Sequence, residues 1–367
     1  MVHSHSWQPE RKPLTMTENG PLVSIVIPSY NGKALLKNCL RSLRKQTYRP
    51  IEILVVDNGS SDGTAELLDQ EFPEVKIVAQ KNNLGFAAGC NRGAHDAKGQ
   101  WILFLNNDTT HAPDFIGCLV ESALQKEEIG IAYSKVLLQS PEGTIDSIGS
   151  QMTALGFLTH IGLYEEDRGQ YDQIKEVFSP KGVSFLVRRS LFERLGGFDE
   201  QFFAYFEESD FSWRVWLSGH QVVFVPKSQV IHVSTATASR LDPAVIHFHT
   251  YKNRIRSLLK NLGTLRAFWV IPIHLLVCAT IAAIHLIRGR WSASGAIVRS
   301  VLWNLRHLYG TLRARQNVQQ KIREVSDRQI FRSLQSRTSW KSFWRLYRLY
   351  VAFWEEKCAP LQPRVHG

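Results

Sequence analysis

The sequence predicts an α/β fold in which a mainly parallel sheet is flanked by helices, and two observations support this. Short apolar runs rich in β-branched residues alternate with segments whose leucines recur at helical spacing. These apolar runs end in polar turns, as strands do when a helix connects each strand to the next in a parallel sheet. The 367 residues, 44% of them hydrophobic, are enough for a large buried core in one domain or two.

The first half of the chain carries the regular alternation. Its predicted strands are 23–27, 51–56, 75–78 and 101–105. Helices are predicted between them: one at 35–43, a short one through Leu67 and Leu68, and one at 86–97. A further helix is expected to begin at Pro113, because proline is well tolerated in the first helical turn.

The alternation changes in the middle of the chain. Residues 140–178 are rich in Gly, Asp, Glu and Gln and are predicted to form loops and short hairpins over the sheet. A strand is predicted at 183–187 and a helix at 208–218. Two more strands are then predicted, at 221–225 and 229–233.

Three polar loops follow the predicted strands, at 28–32, 57–64 and 82–91. Such loops present backbone N–H groups and short polar side chains to a ligand at the carboxyl edge of an open sheet. Asp57 could accept the imino N–H of a pyrimidine base. One such sequence alone is most often just a turn, but three at successive strand ends indicate a binding site.

Two groups of acidic and amide residues complete the pattern. Asn106-Asn107-Asp108 ends the predicted buried strand 101–105, and the acidic cluster 206–210 follows about a hundred residues later. One carboxylate for a metal-bound diphosphate and another for a base is the equipment of a sugar transferase that uses a nucleotide donor. The alternative is that the cluster is a solvated helix start, where carboxylates favour the helix dipole.

These motifs resemble those of family 2 glycosyltransferases with the GT-A fold, and are most like those of bacterial rhamnosyltransferase-type members that build surface polysaccharides. The resemblance covers about 22–255 and rests on segments 23–32, 55–64, 83–93, 105–108 and 196–203 together with the acidic cluster. It implies a GT-A catalytic domain, a nucleotide-diphosphate sugar donor such as dTDP-rhamnose, a lipid-linked or glycan acceptor, and a divalent metal, Mg²⁺ or Mn²⁺.

The resemblance also implies which residues bind the donor. The nucleotide base would lie near Pro28, Tyr30 and Asp57, and the ribose and diphosphate near Asn83 and Gly85. Asn31 and Asn106 complete the implied donor-binding set. Asn106 stands where the family's DXD motif has its first aspartate, which leaves one carboxylate fewer.

Metal-binding and catalytic roles are implied in the same way. Asp108 matches the metal-binding last aspartate of the DXD motif, and oxygen ligands suit Mg²⁺ or Mn²⁺. His232 matches a histidine that can join the metal shell, although a histidine with apolar neighbours is more often a core residue. Glu208 matches the catalytic base, and Asp210 is the second candidate for that role.

The implied reaction is a direct displacement that inverts the anomeric carbon. The QXXRW motif of processive synthases is absent, which favours addition of a single sugar. An alternative is a binding protein that keeps the nucleotide-sugar pocket without catalysis, as a scaffold in a polysaccharide assembly complex, motivated only by Asn106. A dinucleotide-dependent oxidoreductase is disfavoured because Pro-Ser-Tyr-Asn-Gly, not G-x-G-x-x-G, follows the first strand.

The rear of the chain is strongly basic. Residues 251–350 contain 19 Lys and Arg against two acidic residues, whereas the whole chain has a net charge of +11, so the remainder is net acidic. Because the rear is also apolar, we expect an anionic membrane surface as its partner rather than nucleic acid.

Two segments of the rear support a membrane partner. Residues 268–287 carry no formal charge, and we favour an interfacial or re-entrant helix over a membrane span, which would put the basic tail on the far side. Farther on, Ile297, Val301, Leu305, Leu308 and Leu312 project from one face of a predicted helix, packed either on its own domain or on a membrane.

We therefore predict a disordered tail (1–20), a catalytic domain (21–250) and a basic, membrane-associated helical region (251–367). The tail lacks the apolar stretch of a signal peptide. The five cysteines are scattered, without metal-binding or redox spacing, which favours a reducing compartment and the cytoplasmic face of the membrane. They are Cys39, Cys90, Cys118, Cys278 and Cys358.

Overall fold

The computed structural model describes residues 20–233 and 242–335. Of the predicted tail, only Gly20 is among the described residues. The end of the predicted basic region, which includes Cys358, also lies outside them. The other four cysteines are free thiols.

A mixed, mostly parallel sheet forms the centre of the molecule, as the sequence predicts. Its first five strands are β1 (Val23–Ser29), β2 (Ile51–Asp57), β3 (Lys76–Ala79), β4 (Trp101–Leu105) and β5 (Thr109–His111). The others are β6 (Ile129–Leu138), β7 (Ile145–Ser147), β10 (Lys175–Glu176), β11 (Ser184–Arg188) and β12 (Gln221–His232). A separate hairpin pairs β8 (Ser150–Met152) with β9 (Leu158–His160), within the stretch predicted to form loops and short hairpins.

The strand order is β10-β12-β6-β11-β4-β1-β2-β3, with β5 paired to β12 and β7 paired to β6. The pairs β3–β2, β2–β1, β1–β4 and β6–β12 are parallel, whereas β11 runs antiparallel between β4 and β6. The carboxyl ends of β1, β2 and β4 therefore meet at one edge, where the polar loops lie.

Eleven α-helices are described in residues 20–233 and 242–335. The first six are α1 (Lys33–Arg44), α2 (Thr64–Glu71), α3 (Gly85–Asp96), α4 (Phe115–Leu124), α5 (Arg189–Arg194) and α6 (Glu207–Leu217). The rear contributes α7 (Pro243–Asn261), α8 (Thr264–Ile287), α9 (Trp291–Arg306), α10 (Leu308–Asn317) and α11 (Asp327–Leu334).

Helix α1 shows why the front half folds as predicted. Leu36, Cys39, Leu40 and Leu43 recur at helical spacing, and all four are buried against the sheet. The strands β1, β2 and β4 are almost wholly buried, which is why they are continuous apolar runs rather than alternating patterns.

Two predictions about strands need correction. The strands predicted at 221–225 and 229–233 form one strand, β12, with a bulge between Val225 and Gln229 that accommodates Pro226. The ten-residue strand β6 and the short strand β5 were not predicted at all.

The rear packs onto α6 and the 200–202 segment through α7, which crosses the predicted domain boundary at residue 250 without a break. Helices α8 and α9 pack against α7 and against each other. By length and composition α8 could cross a membrane, and about one third of its most apolar 18-residue stretch is buried inside the protein. The described rear is thus a helical layer on the catalytic unit that contains one long apolar helix.

The predicted apolar stripe is not a single helical face. His307 separates α9 from α10, so the positions on either side lie in different helices. Ile297 is buried, while Leu305, Leu308 and Leu312 are exposed. The buried face of α9 instead consists mainly of small and polar residues: Ala293, Ser294, Ala296, Ile297, Ser300 and Asn304.

Candidate active site

The loops after β1 and β2 are joined by hydrogen bonds between short polar side chains. The Asn31 N–H donates to Ser60 Oγ (2.9 Å), and the Ser61 N–H donates to Asn31 Oδ1 (2.8 Å). Asp57, at the end of β2, accepts from the Ser60 N–H (3.0 Å). These bonds fix the two loops side by side, with Tyr30 exposed at the rim.

The third polar loop leads into α3 and is held against the segment that precedes α6. Asn83 Oδ1 accepts from the Gly85 N–H (2.9 Å). Gly85 has φ +84°, and a Cβ atom there would lie 2.4 Å from the Phe203 carbonyl oxygen, so only glycine fits without movement. The Ala87 N–H donates to the same carbonyl at 3.2 Å.

Asn107 lies at the end of β4 and ties that loop to β1, because its Nδ2 donates to Ser29 Oγ (2.9 Å). Asn106 uses its backbone instead: its carbonyl accepts from Thr109 Oγ1 at 2.7 Å. The Asn106 side chain remains partly exposed.

A chain of charged and polar contacts runs across the sheet from Asp108. The Nε2 of His232, at the end of β12, lies 3.4 Å from Asp108 Oδ1. The His232 Nδ1–H donates to Asp146 Oδ2 at 2.8 Å, and Asp146 Oδ1 forms an ion pair with Lys181. Asp108, Asp146 and His232 are all buried.

The two buried carboxylates, Asp108 and Asp146, favour the protonated, positively charged form of His232. Burial alone would lower the pKa of His232, but Asp108 and Asp146 raise it to about 9. Burial would likewise raise the pKa of Asp146, but His232 and Lys181 hold it well below its usual range. Two buried carboxylates thus share one imidazole and one ammonium group.

Glu208 lies in the first turn of α6, partly exposed next to Gly182. Burial of its carboxyl raises its pKa to about 7, although hydrogen bonds from the Gly182 N–H and the Ser209 hydroxyl, together with the Lys181 charge, oppose this shift. Burial, followed by the charge of Glu208, also raises the pKa of Glu207 well above its usual value. The charge of Lys181 therefore acts on Asp146 and on Glu208.

Asp210 has different surroundings from Glu208. Its carboxylate is fully buried and accepts from Arg214 (3.1 Å), Lys260 (2.8 Å) and the Ser257 hydroxyl (2.9 Å). Burial would raise the pKa of Asp210, but the Lys260 and Arg214 cations hold it below its usual range. Asp210 therefore anchors α6 to α7, with both carboxylate oxygens already engaged.

The structure brings most of the predicted site residues to one edge of the sheet. Asn31 and Asp57 meet through the Ser60 loop, and Asp108 meets His232 directly. Asp210 alone is directed away, toward α7.

Three polar residues of this edge were not predicted: Asn107, Asp146 and Lys181. Asp146 lies in the stretch 140–178, where no motif was recognised. Lys181 lies just before the predicted strand 183–187. A single acidic residue between buried apolar neighbours, Ile145 and Ile148, is the only sequence signal that could have indicated Asp146.

Asp108 and His232 fit a divalent cation. The Oδ1 atom of Asp108 is buried and accepts no hydrogen bond, although His232 Nε2 lies 3.4 Å away. A metal ion held by both residues would satisfy this oxygen and would replace the proton on the imidazole. Residues 20–233 and 242–335 contain no group of three or more His, Cys, Asp and Glu side chains that could hold a metal. Further oxygen ligands would have to come from the phosphates of a bound substrate.

Comparisons with known proteins agree with this geometry. The family model described as "Glycosyl transferase family 2" matches residues 24–196. A relative named N-acetylglucosaminyl-diphospho-decaprenol L-rhamnosyltransferase, from Mycobacterium tuberculosis, is 30% identical over 253 residues, which cover 62% of this chain and 80% of the relative. An O-antigen biosynthesis protein from Myxococcus xanthus is 31% identical over 227 residues, 59% of this chain but 18% of that protein.

Among solved structures, the crystal structure of GalNAc-T7 with UDP, GalNAc and Mn²⁺ is similar with a TM-score of 0.54. The similarity covers 66% of this chain and 48% of that chain at 20% identity. At this identity the comparison shows that the fold is GT-A.

Proposed function

Because the chain belongs to glycosyltransferase family 2 and is a nucleotide-sugar-dependent enzyme, we propose that it inverts the donor's anomeric carbon as it transfers one sugar. We take dTDP-rhamnose as the first donor to test and a lipid-linked oligosaccharide or polysaccharide as the acceptor. The rhamnosyl donor and the lipid-linked acceptor are supported by the name of the mycobacterial relative. The product would be a cell-surface polysaccharide.

The observation that carries this proposal is the run of contacts from Asp108 through His232 and Asp146 to Lys181, whose positive charge also acts on Glu208. The two outer carboxyl groups differ: Asp108 has a buried oxygen without a hydrogen-bond partner, and Glu208 has a raised pKa. A leaving diphosphate needs positive charge, which a cation bound at Asp108 would supply. An acceptor hydroxyl needs a proton acceptor, and Glu208 can be that group.

The proposal gives the donor-binding residues and Glu208 separate roles in the reaction. Asp57 and the loop of Asn83 and Gly85 hold the nucleotide and diphosphate by hydrogen bonds from short side chains and backbone N–H groups. Glu208 takes the proton of the acceptor hydroxyl as that oxygen attacks the anomeric carbon. Its pKa near 7 lets it be ionised before attack and still bind a proton firmly afterwards.

A divalent metal, Mg²⁺ or Mn²⁺, would be held by Asp108 and His232, and when bound it would neutralise charge on the leaving diphosphate. The hydrogen bond that the His232 Nδ1–H donates to Asp146 orients the ring and leaves Nε2 facing Asp108. Lys181 offsets the charge of Asp146.

We also propose that the rear docks the enzyme on the cytoplasmic face of the membrane. One face of α8 packs on the protein through Val270, His274 and Cys278. Its opposite face exposes Leu265, Phe268, Trp269 and Leu276, which supports a helix lying along the lipid surface more than one crossing it. A re-entrant or spanning arrangement of 268–287 is the competing placement.

The test is a donor panel on the purified full chain in detergent with Mg²⁺ or Mn²⁺, scoring nucleoside diphosphate release from dTDP-rhamnose and from UDP-, GDP- and other dTDP-sugars. We expect turnover of one donor with membrane lipid extract as the acceptor source, lost with chelator and reduced at least 100-fold in Asp108→Ala. Asp69→Ala is the matched control, because this exposed carboxylate of α2 lies outside the site.

Either of two results would overturn the proposal. Donor binding without turnover under all these conditions would favour the scaffold alternative. Full activity of Asp108→Ala would contradict the assignment of Asp108 as a metal ligand.

A further inference from the structure

Arg254 on α7 is held among aromatic rings rather than among carboxylates. Its guanidinium lies 4.6 Å from the ring centre of Phe157, 5.2 Å from that of Tyr251 and 5.9 Å from that of Phe206. Cation–π attraction of this kind offsets part of the cost of removing the guanidinium from water.

Arg254 differs from Arg256 and Lys260 of the same helix in having no anionic partner in the part of the chain that the structure describes. Arg256 and Lys260 pair with Asp199, and Lys252 donates to the Gln201 carbonyl (2.6 Å). The Nε of Arg254 is buried and has no hydrogen-bond partner. A partly buried cation without an anionic partner is costly, and this favours an anionic ligand at Arg254.

The position of Arg254 connects the reaction centre with the apolar helix. Phe206, beside its guanidinium, immediately precedes Glu207 and Glu208. Phe157, on its other side, stacks on His274 of α8 with ring centres 4.5 Å apart. Arg254 therefore lies between the proposed base and the helix whose outer face is exposed and apolar.

We propose that Arg254 binds the diphosphate of a lipid-linked acceptor, placing the acceptor sugar at Glu208 while the lipid follows the exposed face of α8. This rests on the proposed function and names the acceptor's chemical class. The planar guanidinium fork matches phosphate oxygens in a two-point contact that a lysine cannot make.

The donor diphosphate is the other source of the same chemistry, and the topology argues against it. The proposed donor loops follow β1 to β4, and Asp108 ends that same edge. Arg254 instead packs against the turn after β8, which contains Phe157, and against α8. An acceptor entering from the lipid side passes Arg254 before it reaches Glu208.

The test is a binding measurement that needs no turnover. Geranyl diphosphate and geraniol are titrated calorimetrically into the full chain with dTDP or UDP and Mg²⁺ saturating the donor site. We expect the wild type to bind the diphosphate about 10- to 100-fold more tightly than the alcohol. Arg254→Gln should lose that preference, and Arg254→Lys should keep only part of it.

Arg299→Gln is the matched control, since it removes one positive charge from an exposed position on α9 and should keep the preference. A thermal melt of each variant establishes that it is folded, and Arg254→Lys serves if Arg254→Gln is not. Undiminished diphosphate preference in both Arg254 variants would overturn the proposal. Weakened dTDP or UDP binding in them, with the prenyl diphosphate unaffected, would assign Arg254 to the donor instead.

Failure of this inference is distinguishable from failure of the proposed function. If Arg254 has no role with the acceptor, sugar transfer from the active donor persists in Arg254→Gln with an unchanged acceptor KM. If the chain is a scaffold, the donor panel shows no turnover while the prenyl diphosphate is still bound through Arg254.

Discussion

Glu208 illustrates how a surface-like sequence position becomes a base through its surroundings. Its carboxyl is packed beside Gly182 and next to the buried Glu207, and burial raises its pKa to about 7. Asp210, two residues farther along the same helix, experiences the opposite effect because Lys260 and Arg214 hold its pKa down. A proton acceptor and a permanent anion thus lie within the same turn of helix α6.

The pH dependence of the wild-type enzyme follows from the raised pKa of Glu208. Below pH 7 the protonated carboxyl cannot accept the acceptor's proton, so kcat should rise with pH and level off above about pH 7. Glu208→Gln should lower kcat about 100- to 10,000-fold, abolish this rise and leave donor binding intact. The measurements are kcat from pH 5 to 9 and donor affinity by calorimetry.

Asp210→Asn is the informative comparison for Glu208→Gln. Because Asp210 accepts only from groups of α6 and α7, its loss should lower stability while the remaining activity keeps the pH dependence of the wild type. A flattened profile in Asp210→Asn, with a normal profile in Glu208→Gln, would exchange the two roles.

At this scale the sequence predicts residues whose neighbours in the chain form a motif, and it misses those recruited from far away. Asp108 and His232 were identified through the resemblance, and their contact at 3.4 Å agrees with a shared task. Asp146 was not identified, because it reaches His232 across 86 positions of the chain from a short strand without a motif. Only the fold brings such a residue to the site.

Among the elements, α7 has the most unusual composition for its position. Its buried face carries Lys252, Asn253, Arg256, Ser257 and Lys260, where apolar residues would be expected. These polar groups bind the segment that leads into α6, in which Phe203, Tyr205 and Phe206 have positive φ values. Such backbone geometry persists only when surrounding contacts hold it, and α7 supplies them.

Asn253→Ala tests this positioning role. The Asn253 Nδ2 lies 3.1, 2.9 and 2.6 Å from the carbonyl oxygens of Phe202, Ala204 and Tyr205. Without it we expect a stability loss of about 1 to 3 kcal/mol and a kcat about 10- to 100-fold lower, because Glu208 shifts with the segment. Urea unfolding and steady-state kinetics measure the two effects.

Asn304→Ala provides the control for that substitution. Asn304 is also buried, and its Nδ2 donates to the carbonyls of Lys252 (3.0 Å) and Ser300 (2.9 Å), away from the strained segment. It should lose similar stability with kcat nearly unchanged. Equal kcat losses in the two variants would show a general effect of destabilisation rather than positioning by α7.

The strands show why some elements could be predicted and others not. Strand β4 is an unbroken apolar run, and its bounds were predicted correctly. Strand β6 was missed because Lys135 interrupts its apolar run, yet this lysine is buried through ion pairs with Asp167 (2.8 Å) and Asp172 (2.6 Å). The buried Ser228, which bonds Ser134 (2.9 Å), likewise keeps β12 continuous past Pro226.

Across the whole molecule, apolar and polar surfaces are distributed in an unusual way. The catalytic sheet buries most of its apolar residues, whereas α8, α9 and α10 expose many of theirs. Trp269 is 63% exposed, and Leu305 and Tyr309 are 62% and 80% exposed. Basic residues accompany this apolar surface, which is the combination that binds an anionic lipid surface by burial and by charge together.

Replacing apolar side chains on α8 tests whether this surface docks on a membrane. Phe268→Ser combined with Trp269→Ser removes two exposed aromatic side chains without opening the core, as both are more than 60% exposed. We expect partitioning onto vesicles with anionic lipid to fall about 10- to 100-fold, because each ring loses its apolar burial in the lipid interface. Vesicle sedimentation at low and high salt measures this.

The matched control for this membrane prediction is Ile77→Ser combined with Leu124→Ser, which removes two exposed apolar residues from β3 and the end of α4, outside the rear helices. It should bind vesicles as the wild type does, and wild-type binding should weaken with salt because basic side chains contribute to it. Equal partitioning of the two double variants would place the docking surface elsewhere. A defect confined to the Phe268 and Trp269 variant would instead place lipid along the exposed face of α8, whose buried face packs through His274 on Phe157, the ring beside Arg254.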